Sequence, residues 1–436
     1  MMKGIQSPLG LALISVLIGG IVMVAASLVH YAAPGLLAEA GSTVLAAPRT
    51  TPVLSAGLFE TQTGAAVETV VLPPPTFTPT LTPPPEPTAT ETAIPTATPT
   101  LTPLPTPTAP PAYQAAQPYV ELTGFTNVWQ TWNNCGPATM SMNLSYYGST
   151  VGQADIAAII KPNPDDKNVS PEELVMYARS QGYHAQLRVN GNRDLLRTLV
   201  SNGIPVIIET WLEPEPNDGM GHYRMIVGYD DAAQTWIGYD SYYKDRWVST
   251  DDSYRGIYMP YDETDALWRV FNNTYVLVYP VDQAPLVQAI LGAELDETVM
   301  WQNALQQAQL TVEQNPGDPY AWFNLGTDRV ALGDYEGAAA AYDQARAIGL
   351  PWRMHWYQFS PLQAYYGVGR YDSVVELADT TLAVTATLEE HYYWRGRALA
   401  AMGDIGGAQW SLERALALHT GYAQAQEALA ALSQPQ

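Results

Sequence analysis

The sequence predicts an α+β domain followed by an all-α array of helical repeats, set behind an apolar N-terminal helix and a Pro/Thr-rich stalk. Three observations lead there. Helix signals precede strand signals between residues 119 and 282, turn triplets recur at a nearly constant period between 293 and 436, and residues 73–111 contain little besides Pro and Thr. With 436 residues, 47% of them hydrophobic, the chain can bury two or three cores.

Residues 1–30 read as a short inner tip and a transmembrane signal-anchor helix. Leu9 to Val29 is apolar apart from glycines, Ser15 and Ser27, and its length matches the ~20 residues that cross a bilayer. Lys3 precedes it and only Arg49 follows before Lys161, so the charge bias places the N-terminus inside and the folded domains outside a cell membrane, as a single-pass protein. The competing reading is a cleaved signal peptide and a secreted product, because Ala38, Glu39 and Ala40 form an A-x-A site. Residues 31–118 form the linker. Its Pro/Thr composition cannot bury enough apolar surface to fold, and polyproline II at ~3.1 Å per residue would extend it on the order of 100 Å.

Within 119–282, Pro137 to Tyr147 reads as a helix, with Met140, Leu144 and Tyr147 at helical spacing and Gly148 closing it. Cys135 thereby falls just ahead of a helix N-terminus. Ser170-Pro171-Glu172-Glu173 is a capping box opening a second helix, and a third spans Arg193 to Ser201. Strands follow at Pro205–Trp211, His222–Tyr229, Thr235–Tyr239 and Thr274–Tyr279, each short and rich in Val, Ile and aromatics.

Residues 293–436 fit a tetratricopeptide-repeat solenoid. Trp322, Leu325, Gly326, Ala338, Tyr342 and Ala345 match one repeat; the triplets Gly333-Asp334-Tyr335, Gly369-Arg370-Tyr371 and Gly403-Asp404-Ile405 mark the period. Gly396, Ala408 and Ala415 occupy the small positions of the last repeat, whereas the middle one carries Val374, Ala378 and Thr381. Val299 to Pro316 supplies a capping helix. The aromatics Trp352, Trp356, Tyr357, Tyr365 and Tyr366 are expected in the repeat core.

The chain has one cysteine, which excludes an internal disulfide and any multi-thiolate zinc site. A helix start lowers a thiol pKa and favours the nucleophilic thiolate. His222 opens a strand after the loop Pro214 to Gly221, and Asp240 ends the neighbouring strand, where its carboxylate can fix the imidazole tautomer. Gln130, five residues before Cys135, can aim an amide N–H at a developing oxyanion. His184 lacks a comparable acidic partner and is expected to be structural. No histidine stands at ligand spacing from another, so neither metal nor cofactor is expected. Asp165, Asp166, Glu172 and Glu173 read as a solvated loop and a helix start. The 43 acidic against 20 basic residues, a formal charge of -23, exclude nucleic acid as a partner.

The wording "QTWNNCGPATMSMNLSYYG", "NGIPVIIETW" and "GHYRMIVGYDDAAQTWIGYDSYY" resembles the soluble relatives of the bacteriocin-leader-processing cysteine peptidases, family thirty-nine of that class. The resemblance covers roughly 119–280 and implies a papain-like fold. It also implies Cys135 as nucleophile, His222 as base, Asp240 as its orienting partner and Gln130 as oxyanion donor. Ser241 departs from the pattern, since many relatives carry Pro there. The expected activity is hydrolysis of peptide or amide bonds in a peptide or protein substrate, with the repeats binding a protein partner. Two rival readings stay open: a scaffold binding a peptide or cell-wall stem without turnover, and an acyl transferase using the same thiol.

Overall fold

The computed structural model describes residues 113–243, 248 and 254–433. The N-terminal anchor and the stalk as far as 112 lie outside these residues; among the described residues no helix is long and apolar enough to cross a membrane. The end of the linker, expected to be free, is held to the domain. Gln114 and Gln117 donate their backbone N–H groups to Asn202 and to the Tyr229 hydroxyl, at 2.8 and 2.9 Å.

The α+β domain is an antiparallel sheet covered on both faces. Its strands are β1 (Tyr119–Glu121), β2 (His184–Arg188), β3 (Val206–Leu212), β4 (Met220–Asp230), β5 (Thr235–Asp240), β6 (Ile257–Pro260) and β7 (Tyr275–Tyr279), in the order β2-β7-β3-β4-β5-β6, with β1 added to the far end of β4. Alternation sorts the side chains. Ile207, Val276 and Val278 enter one core with α1 (Cys135–Tyr146), α2 (Gln153–Ile160) and α3 (Pro171–Ser180). Val206, Ile208, Tyr275, Leu277 and Tyr279 enter the other, against α4 (Arg193–Ser201) and a helix at 284–291. Because both faces are covered, β3 is apolar almost throughout instead of alternating. A Cβ on Gly228 would stand 2.4 Å from the Val120 carbonyl oxygen, so β1 can approach β4 only beside a glycine.

Helix α1 starts two residues earlier than its Pro137 suggests, which makes Cys135 the first helical residue. Helix α3 starts as its capping box predicts, with the Ser170 N–H donating to Glu173 Oε2 at 2.7 Å. Helices α5 (Tyr261–Trp268) and α6 (Ala284–Leu291) complete this part.

The C-terminal region stacks α7 (Glu297–Gln314), α8 (Pro319–Ala331), α9 (Tyr335–Ile348), α10 (Ser360–Gly367), α11 (Tyr371–Leu382), α12 (Glu389–Ala401), α13 (Ile405–Leu418) and α14 (Ala423–Leu432). Small residues sit where helices touch: a Cβ on Gly326 would lie 2.7 Å from the Tyr342 ring, and one on Gly396 would lie 2.8 Å from Leu412. This array shares a core with the α+β domain. Trp211, Val270 and Phe271 pack in one cluster with Phe323, Tyr342, Met354 and Leu362. Polar contacts flank it: Asn272 donates to Asp328 at 2.6 Å, and Arg353 pairs with Asp218 at 2.5 Å.

Candidate functional site

Cys135 sits where the first turn of α1 meets the open end of the sheet. Its thiol is half-buried, beside a cavity of about 50 Å³ whose walls include Gln130, Glu209, His222, Tyr242 and Tyr357. The backbone N–H groups of this first turn have no intrahelical partner and carry the positive end of the helix dipole.

His222 and Arg224 alternate on β4 and therefore share one of its faces. Asp240 lies opposite Arg224 across the β4–β5 ladder. His222 Nε2 stands 2.9 Å from Asp240 Oδ1, and Arg224 donates through Nε to Asp240 Oδ2 at 2.8 Å. The backbone N–H groups of Tyr242 and Tyr243 also donate to Oδ1, at 2.7 and 3.0 Å. Asp240 is fully buried. Burial alone would raise its pKa, but the His222 charge and hydrogen bond, with Arg224 adding, hold the carboxyl well below the usual range.

His222 hydrogen-bonds Cys135 as well as Asp240, and both line the same cavity. Burial opposes charge on both groups, yet each stabilises the charge of the other. His222 is pushed up to about 9 against its desolvation, by Asp240 first and then by Cys135. The Cys135 thiol is lowered, since the His222 hydrogen bond and charge, helped by the Tyr223 and Gly136 backbone, outweigh burial. Both shifts run toward a thiolate–imidazolium pair, an arrangement that can attack an acyl carbon and then protonate a leaving amine.

Gln130 joins them at the cavity wall. Its backbone N–H donates to the Ser241 carbonyl at 3.0 Å, and its side-chain Oε1 accepts from Ser241 Oγ at 2.8 Å, which leaves Nε2 to donate into the cavity. Ser241, the departure from the family pattern, thus orients the amide that proline could not. If Gln130 receives an oxyanion, Ser241→Ala should lower kcat about fivefold with a smaller effect on KM, because one hydrogen bond of ~1 kcal/mol fixes the donor's direction; steady-state kinetics read the split.

All four residues singled out from the sequence, Cys135, His222, Asp240 and Gln130, are brought together. His184 is remote from them, opening β2 and stacking on Tyr279 at 5.7 Å. Three expectations need correction. Asp166 is not solvated: it is 4% exposed, and burial together with Glu389 and Glu173 raises its pKa well above the ordinary value. The aromatic stripe is not uniformly repeat core. Tyr365 is fully buried, but Trp352 is half exposed and donates to the Asn217 carbonyl, while Tyr357 lines the cavity beside Cys135, against Gly221. Finally, sequence spacing gave no ligand cluster, yet Glu173, Glu389 and His419 converge within 4.8 Å. His419 Nδ1 is 2.9 Å from Glu389 and 3.8 Å from Glu173, an ion pair across the two regions.

Two residues at the site were not singled out. Arg224 pairs with the buried carboxylate, and Glu209 stands in the cavity wall. Each had a signal, a charged residue inside an otherwise apolar strand: "HYRMIVGYD" and "VIIETWL".

Residues 109–269 match the Peptidase_C39 like family. No curated protein matches the chain. Among solved structures, a C39-like peptidase from Bacillus anthracis is 18% identical with a TM-score of 0.29, over 37% of this chain and 96% of that one. The peptidase domain of Streptococcus ComA, a bifunctional ABC transporter involved in quorum sensing, is 17% identical with a TM-score of 0.28, over 36% and 99%. The second tetratricopeptide domain of human RPAP3, solved with an HSP70 peptide, is 20% identical with a TM-score of 0.24, over 27% and 99%. The central domain is thus similar to the C39-like peptidases over residues 109–269, and the region after it is a stack of consecutive helices with small residues where they touch.

Proposed function

We propose that this chain, which carries a C39-like peptidase domain ahead of tetratricopeptide-like repeats, is a cysteine peptidase held at the outer face of a membrane by its N-terminal helix. Cys135 attacks a peptide or amide carbonyl. Gln130 Nε2 and the Cys135 backbone N–H receive the oxyanion, and His222 returns its proton to the leaving amine, so that an acyl-enzyme forms and water then releases it. Asp240 keeps the imidazole in the orientation that serves the thiol, and Arg224 holds Asp240. The observation that carries this reading is the placement of Cys135 at the first turn of α1, in one cavity with a His222 that Asp240 holds at 2.9 Å. Protein binding by the repeats belongs to the same reading, as does the anchor.

The pH dependence tests it. The thiolate exists above the lowered Cys135 value, and the imidazolium exists below about 9. Turnover therefore rises as the thiol ionises and falls as pH passes about 9, where His222 loses the proton it must donate. Alkylation of Cys135 needs only the thiolate and should not fall on that alkaline limb. Peptide hydrolysis and iodoacetamide labelling measured on one preparation give both profiles. Hydrolysis that keeps rising above pH 10 would remove the ion pair from the mechanism.

A further inference from the structure

Between the α+β domain and the inner side of the repeat array lies a second, larger cavity of about 830 Å³. Six glutamates line it: Glu172, Glu173 and Glu209 from the first region, and Glu389, Glu390 and Glu427 from the second. No Lys or Arg among the described residues joins them, and His419 is already paired with Glu389. Trp301, Trp394 and Tyr422 add aromatic faces. Glu209 and Tyr357 line this cavity and the one beside Cys135, so the two adjoin at these side chains.

Glu209 is the informative residue. It lies in the middle of β3, 6% exposed, and its carboxyl has no hydrogen-bond or ion-pair partner among the described residues. A buried carboxylate costs several kcal/mol unless something pairs with it, and here the nearest charges, Glu172 and Cys135, only add repulsion to the burial that raises its pKa. Glu389 Oε2 and Glu390 Oε2 are buried without a partner, while their Oε1 atoms accept from His419 and Asn168. Glu209 has no cation beside it and Glu389 has only His419, while the chain's charge of -23 draws cations toward it.

We propose that the cavity between the repeats and the peptidase domain takes an extended peptide segment bearing lysine or arginine, and that Glu209 pairs with one of these cationic side chains next to the scissile bond. The substrate class follows, on the reading that Cys135 is the nucleophile: basic peptides, with the glutamates of α12 and α14 holding further cationic residues and the aromatic faces adding cation–π contacts. The repeats then bind the substrate itself, feeding it to Cys135.

The test uses the full-length chain with Cys135→Ala, so that binding is read without turnover and does not depend on whether the thiol reacts. Fluorescence anisotropy compares one labelled peptide carrying lysines with versions in which norleucine or glutamate replaces them. The lysine peptide should bind about tenfold or more tightly than the norleucine peptide, as one charge-assisted pair implies, lose affinity with added salt, and be competed by the arginine version. Glu209→Gln, nearly isosteric, should remove most of the lysine preference, and Glu389→Gln with Glu390→Gln should remove more of it. Equal binding of the lysine and norleucine peptides, a preference for glutamate, or a lysine preference untouched by Glu209→Gln would overturn the proposal. Competition by spermidine as strong as by the lysine peptide would overturn the peptide class.

Discussion

His222→Ala should lower kcat/KM for peptide hydrolysis by about 10³-fold or more and move the alkylation midpoint of Cys135 above the ordinary thiol range. The first effect removes the group that moves the proton, itself worth ~10²–10⁴. The second follows from the balance at the thiol, where burial raises the pKa and His222 is the main force lowering it. Without the imidazole, burial wins. The rate of alkylation is a poorer measure than its midpoint, because a thiolate of higher pKa is intrinsically more nucleophilic and partly offsets its scarcity. Iodoacetamide labelling across pH 5–11, followed by intact mass, gives the midpoint. A midpoint that stays where it is in the wild-type chain would mean that His222 does not support the thiolate.

Asp240→Asn should be costly twice. It removes the carboxylate that orients and charges His222, with a loss in kcat/KM on the order of 10²-fold or more. It also strands Arg224, which is 5% exposed and pairs with Asp240 through Nε. Leaving a buried cation without its partner costs about 3–5 kcal/mol. Adding Arg224→Met to Asp240→Asn takes the stranded charge away, so the double variant should recover much of the stability and none of the activity. Urea melts and steady-state kinetics on both variants separate the two roles. Unchanged activity in the folded single variant would confine Asp240 to a structural part.

The helices with explicit start signals were legible in sequence. Ser170 with Glu173 marked α3, and Asn192 caps α4 through a hydrogen bond to the Leu195 N–H at 3.0 Å. Helix α2 was missed because its first residue follows Gly152, which offers no capping side chain; Asp155 reaches back instead, to the Gly152 N–H at 3.3 Å. Strands β3, β4, β5 and β7 were found by their apolar runs, although β3 and β4 do not alternate, since both faces of the sheet are covered; the short β1, β2 and β6 were not. Cys135 and Asp240 were legible because they stand at element ends, His222 because it lies near the start of β4, and Gln130 because it lies in the loop that leads into α1. What periodicity cannot state is which partner covers a given face. Glu209 and Tyr357 acquire their place only when the repeats fold against the sheet, and the same is true of Glu173 beside His419.

A Cβ on Gly221 would stand 2.9 Å from the Tyr357 ring, one residue from His222, and the cluster around Trp211 and Phe271 is completed by side chains from α8 to α10. Two regions that divide one hydrophobic core cannot melt independently, because opening either exposes the apolar surface of the other. Their folding equilibria are coupled through this seam. The repeats are therefore part of the thermodynamic unit that keeps the imidazole in register, and the evolutionary freedom of the two regions is joined: substitutions on the inner side of the array alter the stability of the catalytic arrangement as well as whatever the array binds.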